Sequence, residues 1–176
     1  MKTKTKKMTT TGILCAFAYI LMLVSKLIPE VAGFLQFDLK DIIIVIGGFM
    51  MGPIYSLIIS VIVALLELLT ASNTGIIGLI MNIVSSVAFC CTASLIYKYF
   101  HTFKGAVSSL IIGTLVMTAV MILWNYFITP IYMKVPVEVV VSMLVPVFLP
   151  FNLVKGLIVS AITMLTYKRI SFILKK

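Results

Sequence analysis

Apolar residues run along the chain in long blocks broken by short polar, glycine- or proline-bearing stretches, and these breaks predict six helices. The first block, from Met8 to Ile28, leads into IPEVAGFLQFDLKD (28–41), a mixed-charge segment too polar to span. It reads as an outer connection holding Glu30, Asp38, Lys40 and Asp41. A short block, IIIVIGGFMM (42–51), breaks at Gly52-Pro53, where proline cannot continue the hydrogen-bond ladder without strain. The next runs from Ile54 to Leu69 and ends at the turn-forming ASNTG (71–75), after which IIGLIMNIVSSVAFCCTASLIYKY carries the pattern to Lys98. A fifth block begins at Ala106 and is expected to end near Ile128, before Thr129-Pro130. IYMKVPVEVVVSMLVPV (131–147) reads as a loop whose valine-rich part lies on a membrane surface. The last helix is expected to start near Pro150, which suits a first helical turn. The expected helices cover about 8–28, 41–52, 53–69, 75–98, 105–128 and 150–172, in one transmembrane domain over 1–176.

Composition makes these helices membrane spans. Of 176 residues, 62% are hydrophobic, and the mean hydropathy is +1.23, so most blocks suit a hydrocarbon core of roughly 30 Å. Backbone groups in lipid must be satisfied within the segment, which makes the class all-α. The length leaves no room for a soluble engine, so any ATPase is expected on a separate chain. The opening MKTKTKKMTTTGILCAFAYILMLVS also has the outline of a signal peptide, but its long apolar run and lack of a small-x-small cleavage site favour an uncleaved first helix.

The net charge of +9 is not that of a nucleic-acid binder, because the basic residues flank the spans. Ten of the fourteen Lys/Arg are Lys2, Lys4, Lys6, Lys7, Lys98, Lys104, Lys168, Arg169, Lys175 and Lys176, in segments without acids. That distribution predicts a cell-membrane protein with both termini and the 98–104 loop cytoplasmic. Four of the five acids, Glu30, Asp38, Asp41 and Glu138, are then expected outside, leaving Glu67 inside a span.

The embedded polar residues concentrate in the outer half. Lys155 lies inside the last apolar run; near a helix end it could snorkel to the interface, but Asn152, three residues earlier and on the same face, has no such reach. Asn125 lies about one turn from the outer end of the fifth helix, flanked by Trp124 and Tyr126. Three hydrogen-bonding side chains beside Trp124, Tyr126, Phe148, Phe151 and methionines have the composition of a small-molecule pocket. Catalysis is not expected, because no nucleophile with a base, paired embedded acids or metal-ligand set is visible. Cys15, Cys90 and Cys91 lie in apolar runs and His101 in a basic loop, suggesting neither disulfides nor a metal site. On the first helix, Gly12 and Ala16 form a small-xxx-small pair, which serves internal packing and a partner surface equally well.

NYFITPIYM (125–133) and LPFNLVKG (149–156) resemble the two strongest motifs of the riboflavin-specific S components of energy-coupling factor (ECF) vitamin transporters. DLKDIIIVIGGFMMGP (38–53) is similar to the second helix of many S components, and TGIIGLIMN (74–82) to a riboflavin-type segment. Two positions depart from the pattern: an alanine-xxx-alanine contact is Gly12 and Ala16 here, and Lys134 stands where glycine is common. The resemblance implies a six-helix, non-enzymatic subunit that captures riboflavin from outside. Such a subunit docks on a transmembrane coupling subunit driven by two ATP-binding-cassette ATPases, with Gly12 and Ala16 at that contact. It implies ligand-binding roles for Asn125, Tyr126, Asn152, Lys155, Trp124, Glu67 and Asn82. No cofactor is implied beyond the transported vitamin. The alternatives are an S component for another vitamin such as pantothenate, where Lys155 would pair with a carboxylate, and a ligand-free structural membrane protein.

Overall fold

A computed structural model describes residues 2–31, 35–71 and 74–174. Helix α1 (Lys2–Ser25) carries Thr11, Cys15, Ala18, Met22 and Ser25 inward, a stripe at steps of three and four residues. Its other faces are also apolar, with Ile13, Phe17, Ile20 and Val24 exposed. Such a helix is matched to lipid on its outer side. It closes through tight turns at Lys26, Leu27 and Ile28, and the chain then doubles back where Val31 and Leu35 exchange two backbone hydrogen bonds of 2.8 and 2.9 Å.

Helix α2 (Lys40–Met51) has 12 residues and is therefore about 18 Å long, too short to cross a membrane core alone. It is nonetheless the most enclosed element, packed by α1, by α3 (Pro53–Thr70) and by later helices. Ile44 and Val45 are fully buried, and so are Lys40 and Asp41. Gly48 lets the α2 backbone approach a hydroxyl pair, Ser56 and Ser94, whose oxygens are 2.9 Å apart; any Cβ there would collide with both. Gly52, with φ of +102°, turns the chain into α3, where Pro53 takes the first position.

The fourth rod joins α4 (Gly75–Ser86) to α5 (Thr92–Tyr99) through a π turn at Val87–Cys91. The fifth is α6 (Phe103–Met133), opened by Thr102, whose Oγ1 accepts from Gly105 N at 2.9 Å. It runs past Thr129-Pro130, the expected stop. Pro130 removes one donor, but its carbonyl accepts from the backbone around Lys134 and Val135, which closes a final turn with Lys134 left-handed at φ of 54°.

The sixth rod also starts earlier than expected. Residues 137–148 are α7 (Val137–Met143) and a π turn (Leu144–Phe148) leading directly into α8 (Leu149–Leu174). Pro146 and Pro150 do not stop the helix, because the wider π register moves the Leu149 N–H onto Leu144 O and carries the backbone through the proline-bearing stretch. Val140 and Phe148 from this segment are fully buried with Leu35 and Phe151, so the valine-rich stretch packs on the bundle.

Among the described residues, five helical stretches are long and apolar enough to span: Lys4–Ser25, Pro53–Thr70, Gly75–Tyr99, Phe103–Met133 and Val137–Tyr167. Most of their residues are not buried inside the bundle, as expected of helices facing lipid. The chain is therefore an all-helical, multi-pass membrane protein.

Candidate functional site

Residues from six helical segments meet on one side of the bundle. The last turn of α1 brings Lys26; the start of α2 brings Asp38, Lys40 and Asp41; the last turn of α3 brings Glu67; and α4 brings Asn82 and Ser86. The C-terminal half of α6 brings Met121 and Asn125, and the start of α8 brings Phe151, Asn152 and Lys155. Between them lies a cleft lined by charged, amide and apolar side chains, the mixture that small-molecule sites use.

Its charged wall is a connected network. Lys40 Nζ donates to Asn82 Oδ1 at 2.6 Å, pairs with Asp38, and lies 3.6 Å from Glu67 Oε2. Asn82 Nδ2 donates to the same Glu67 oxygen at 2.5 Å, while Lys26 Nζ meets Glu67 Oε1 at 2.8 Å. Lys26 also donates to Gln36 Oε1 at 2.8 Å, and Gln36 passes the chain on to Glu30 at 3.3 Å. A buried ammonium without acceptors would cost several kcal/mol, and three acceptors explain how Lys40 stays inside.

Asp38 and Asp41 do not sit in a solvated outer connection. Asp38 is 8% exposed and Asp41 is not exposed at all, because the charged tetrad Asp38-Leu39-Lys40-Asp41 folds into the α2 start and is neutralised by neighbours distant in sequence. Asp41 Oδ1 accepts from Ser86 Oγ at 2.5 Å, and its Oδ2 faces Lys155 Nζ at 3.7 Å. Lys155 is 6% exposed and turned into the bundle; it does not reach along its helix toward an interface.

The amides line the cleft beside this wall. Asn125 Nδ2 donates to Met121 O at 2.7 Å and its Oδ1 accepts from Thr129 Oγ1 at 2.8 Å, while Asn152 Nδ2 donates to Phe148 O at 2.7 Å. Each amide carries two N–H donors, so one per residue remains after the bond to its own helix. The cleft continues into a second, mostly apolar cavity lined by Trp124, Ile77, Met81, Ile128 and Tyr132, with Asn125 on the shared wall. A polar compartment thus opens beside an aromatic-lined one.

The structure brings Asn125, Asn152, Lys155, Glu67 and Asn82 to the first cleft and Trp124 to the second. Tyr126 lines neither: it is 41% exposed and packs edge-on against Phe127, which is 62% exposed. Phe151 lines the cleft, whereas Phe148 is buried behind it. Gly12 and Ala16 lie on the exposed side of α1, and nothing stands within 4 Å of a Cβ built on Gly12. Sequence reasoning did not single out Lys26, Gln36, Asp38, Lys40, Asp41 or Ser86. The available signal was the pair Lys40-Asp41 placed immediately before an apolar run, as the first turn of a buried helix.

Comparison with known proteins agrees with this architecture. The family described as "ECF transporter, substrate-specific component" matches residues 6–167. The riboflavin transporter RibU of Staphylococcus aureus (strain TCH60) is 29% identical over 180 residues, covering 97% of this chain and 93% of its own. The riboflavin transporter FmnP of Bacillus subtilis (strain 168) is 27% identical over 173 residues, covering 93% and 91%. A solved S component of a bacterial ECF transporter superposes with a TM-score of 0.84 at 29% identity, over 98% of this chain and 99% of that one.

Proposed function

The chain belongs to the substrate-specific components of ECF transporters, and from that premise we propose that it captures riboflavin in the cleft between α2, α4, α6 and α8. The observation that carries the reading is the convergence of Asn125, Asn152 and Lys155, drawn from two separate motifs, on one cavity with an aromatic annex. Relatives matching nearly the whole chain are named riboflavin transporters. As a substrate-specific component the subunit is not an enzyme, and it works with an energy-coupling module. We assign to that module a transmembrane coupling subunit and two ABC ATPases, which would supply the hydrolysis.

The charge balance supports a neutral ligand. Three cations, Lys26, Lys40 and Lys155, face four carboxylates, Glu30, Asp38, Asp41 and Glu67. No surplus positive charge remains to hold a carboxylate such as that of pantothenate. Riboflavin is neutral, and its uracil-like edge and ribityl hydroxyls match amides that donate and accept, while its dimethylbenzene end suits the cavity beside Trp124. The basic clusters at Lys2–Lys7 and Lys98–Lys104 support cytoplasmic termini in the cell membrane, with the cleft, at the opposite helix ends, open to the outside.

The test is purification in detergent without added vitamin. The reading predicts protein that carries the visible absorbance of oxidised flavin, or, once stripped, quenches riboflavin fluorescence stoichiometrically. Colourless protein that leaves riboflavin fluorescence unchanged would overturn it.

A further inference from the structure

Asp41 is the one carboxylate of the network that does not line the cleft, although it is fully buried and lies directly behind Lys155. Ser86 Oγ, at 2.5 Å, fixes Oδ1 and with it the plane of the carboxylate. Cys90 adds only weak contacts, its Sγ lying 3.6 Å from the Asp41 carbonyl and 3.9 Å from Oδ1. The other oxygen, Oδ2, has no hydrogen-bond partner among the described residues and faces Lys155 Nζ at 3.7 Å.

That geometry is unusual for a purely structural ion pair. A carboxylate and an ammonium removed from water normally close to a charge-assisted hydrogen bond of about 2.7–2.9 Å. Here the pair stops short, with a buried acceptor left open and an ammonium on the cleft wall. The separation leaves the Lys155 donors turned inward and not tied up by the carboxylate.

We propose that Asp41 is a positioning residue for ligand binding: anchored by Ser86, it holds the Lys155 side chain aimed at the cleft, so that its N–H groups are presented to a flavin acceptor. Asp41 acts through Lys155 and makes no ligand contact of its own. The inference rests on riboflavin as the ligand, and it gives a role in the site to a residue of α2 that does not itself line the cleft. Asn at position 41 keeps the size and can still bond Ser86, but it removes the anion opposite the lysine.

The experiment is a double-mutant cycle on riboflavin affinity, read by fluorescence quenching with the purified subunit. Asp41→Asn should weaken binding by roughly 3- to 100-fold, as coupled contacting residues do. In a Lys155→Met background the same change should cost less than about threefold, because nothing remains to be positioned. Asp41→Glu, which keeps the charge but moves it by one methylene, is measured in parallel and should change affinity only when Lys155 is present. A structural role would lower thermal stability and shift affinity by the same factor in both backgrounds. Equal factors, or unchanged affinity in both Asp41 variants, would overturn the proposal. Wild-type protein that binds no riboflavin would instead defeat the assignment of the ligand.

Discussion

Lys40 Nζ, wholly buried, donates to Asn82 Oδ1 at 2.6 Å, joining the first turn of α2 to the middle of α4 across 42 positions of sequence. The bond does two things. It satisfies part of a charge that could not otherwise enter the bundle, and it orients the amide that donates to Glu67 at 2.5 Å. The polar wall of the cleft is therefore one connected unit.

This connectivity predicts unequal costs for the two lysines that share Glu67. Lys40→Met strands Asp38 and leaves Glu67 with a single cation, so it should destabilise by about 3–5 kcal/mol, as breaking buried pairs does. The Lys26 side chain is 23% exposed, and Lys26→Met should cost about 1 kcal/mol or less. Thermal unfolding of the ligand-free subunit in detergent measures both. Equal shifts would mean that the network does not retain Lys40 in the way its contacts indicate.

Topology is open to chemical labelling. A cysteine replacing Thr3 should resist a membrane-impermeant maleimide in intact cells, while one replacing the exposed Val137 should react. The reverse pattern would place the cleft on the cytoplasmic side.

The exposed small-residue face of α1 should separate uptake from binding. Gly12 and Ala16 lie away from the cleft, so Ala16→Trp should abolish riboflavin uptake by cells while changing the affinity of the isolated subunit by less than about threefold. A parallel loss of both would show that the indole disturbs the bundle and does not act at a docking face.

Much of this architecture is legible in the sequence because lipid imposes a coarse rule. Apolar runs must be helices, and the breaks at Gly52-Pro53 and 71–75 mark where they turn. Asn125, Asn152 and Lys155 are legible for the same reason, being polar groups in places that penalise them. Asp38, Lys40 and Asp41 are not, because a dense charged tetrad reads as solvated until its partners are known, and these partners, Glu67, Asn82, Ser86 and Lys155, lie far along the chain. The start of the sixth rod was hidden by Pro146 and Pro150, since the π turn that carries the helix through that stretch leaves no mark in the hydropathy pattern. The outward turn of Tyr126 follows from helical phase: Asn125 takes the inward position, which places its neighbour on the outer face.

The most direct test of the account is riboflavin affinity in Lys155→Met and Asn152→Leu, by quenching of flavin fluorescence with the purified subunit. Hydrogen bonds involving a charged group contribute about 1.5–3 kcal/mol, so Lys155→Met should weaken binding by roughly 10- to 150-fold. Asn152→Leu should weaken it less. Thermal stability is followed alongside, because removing the lysine also leaves Asp41 without its cation. Weakened binding by variants that remain folded is the result the account predicts; folded Lys155→Met protein with wild-type affinity for riboflavin would contradict it.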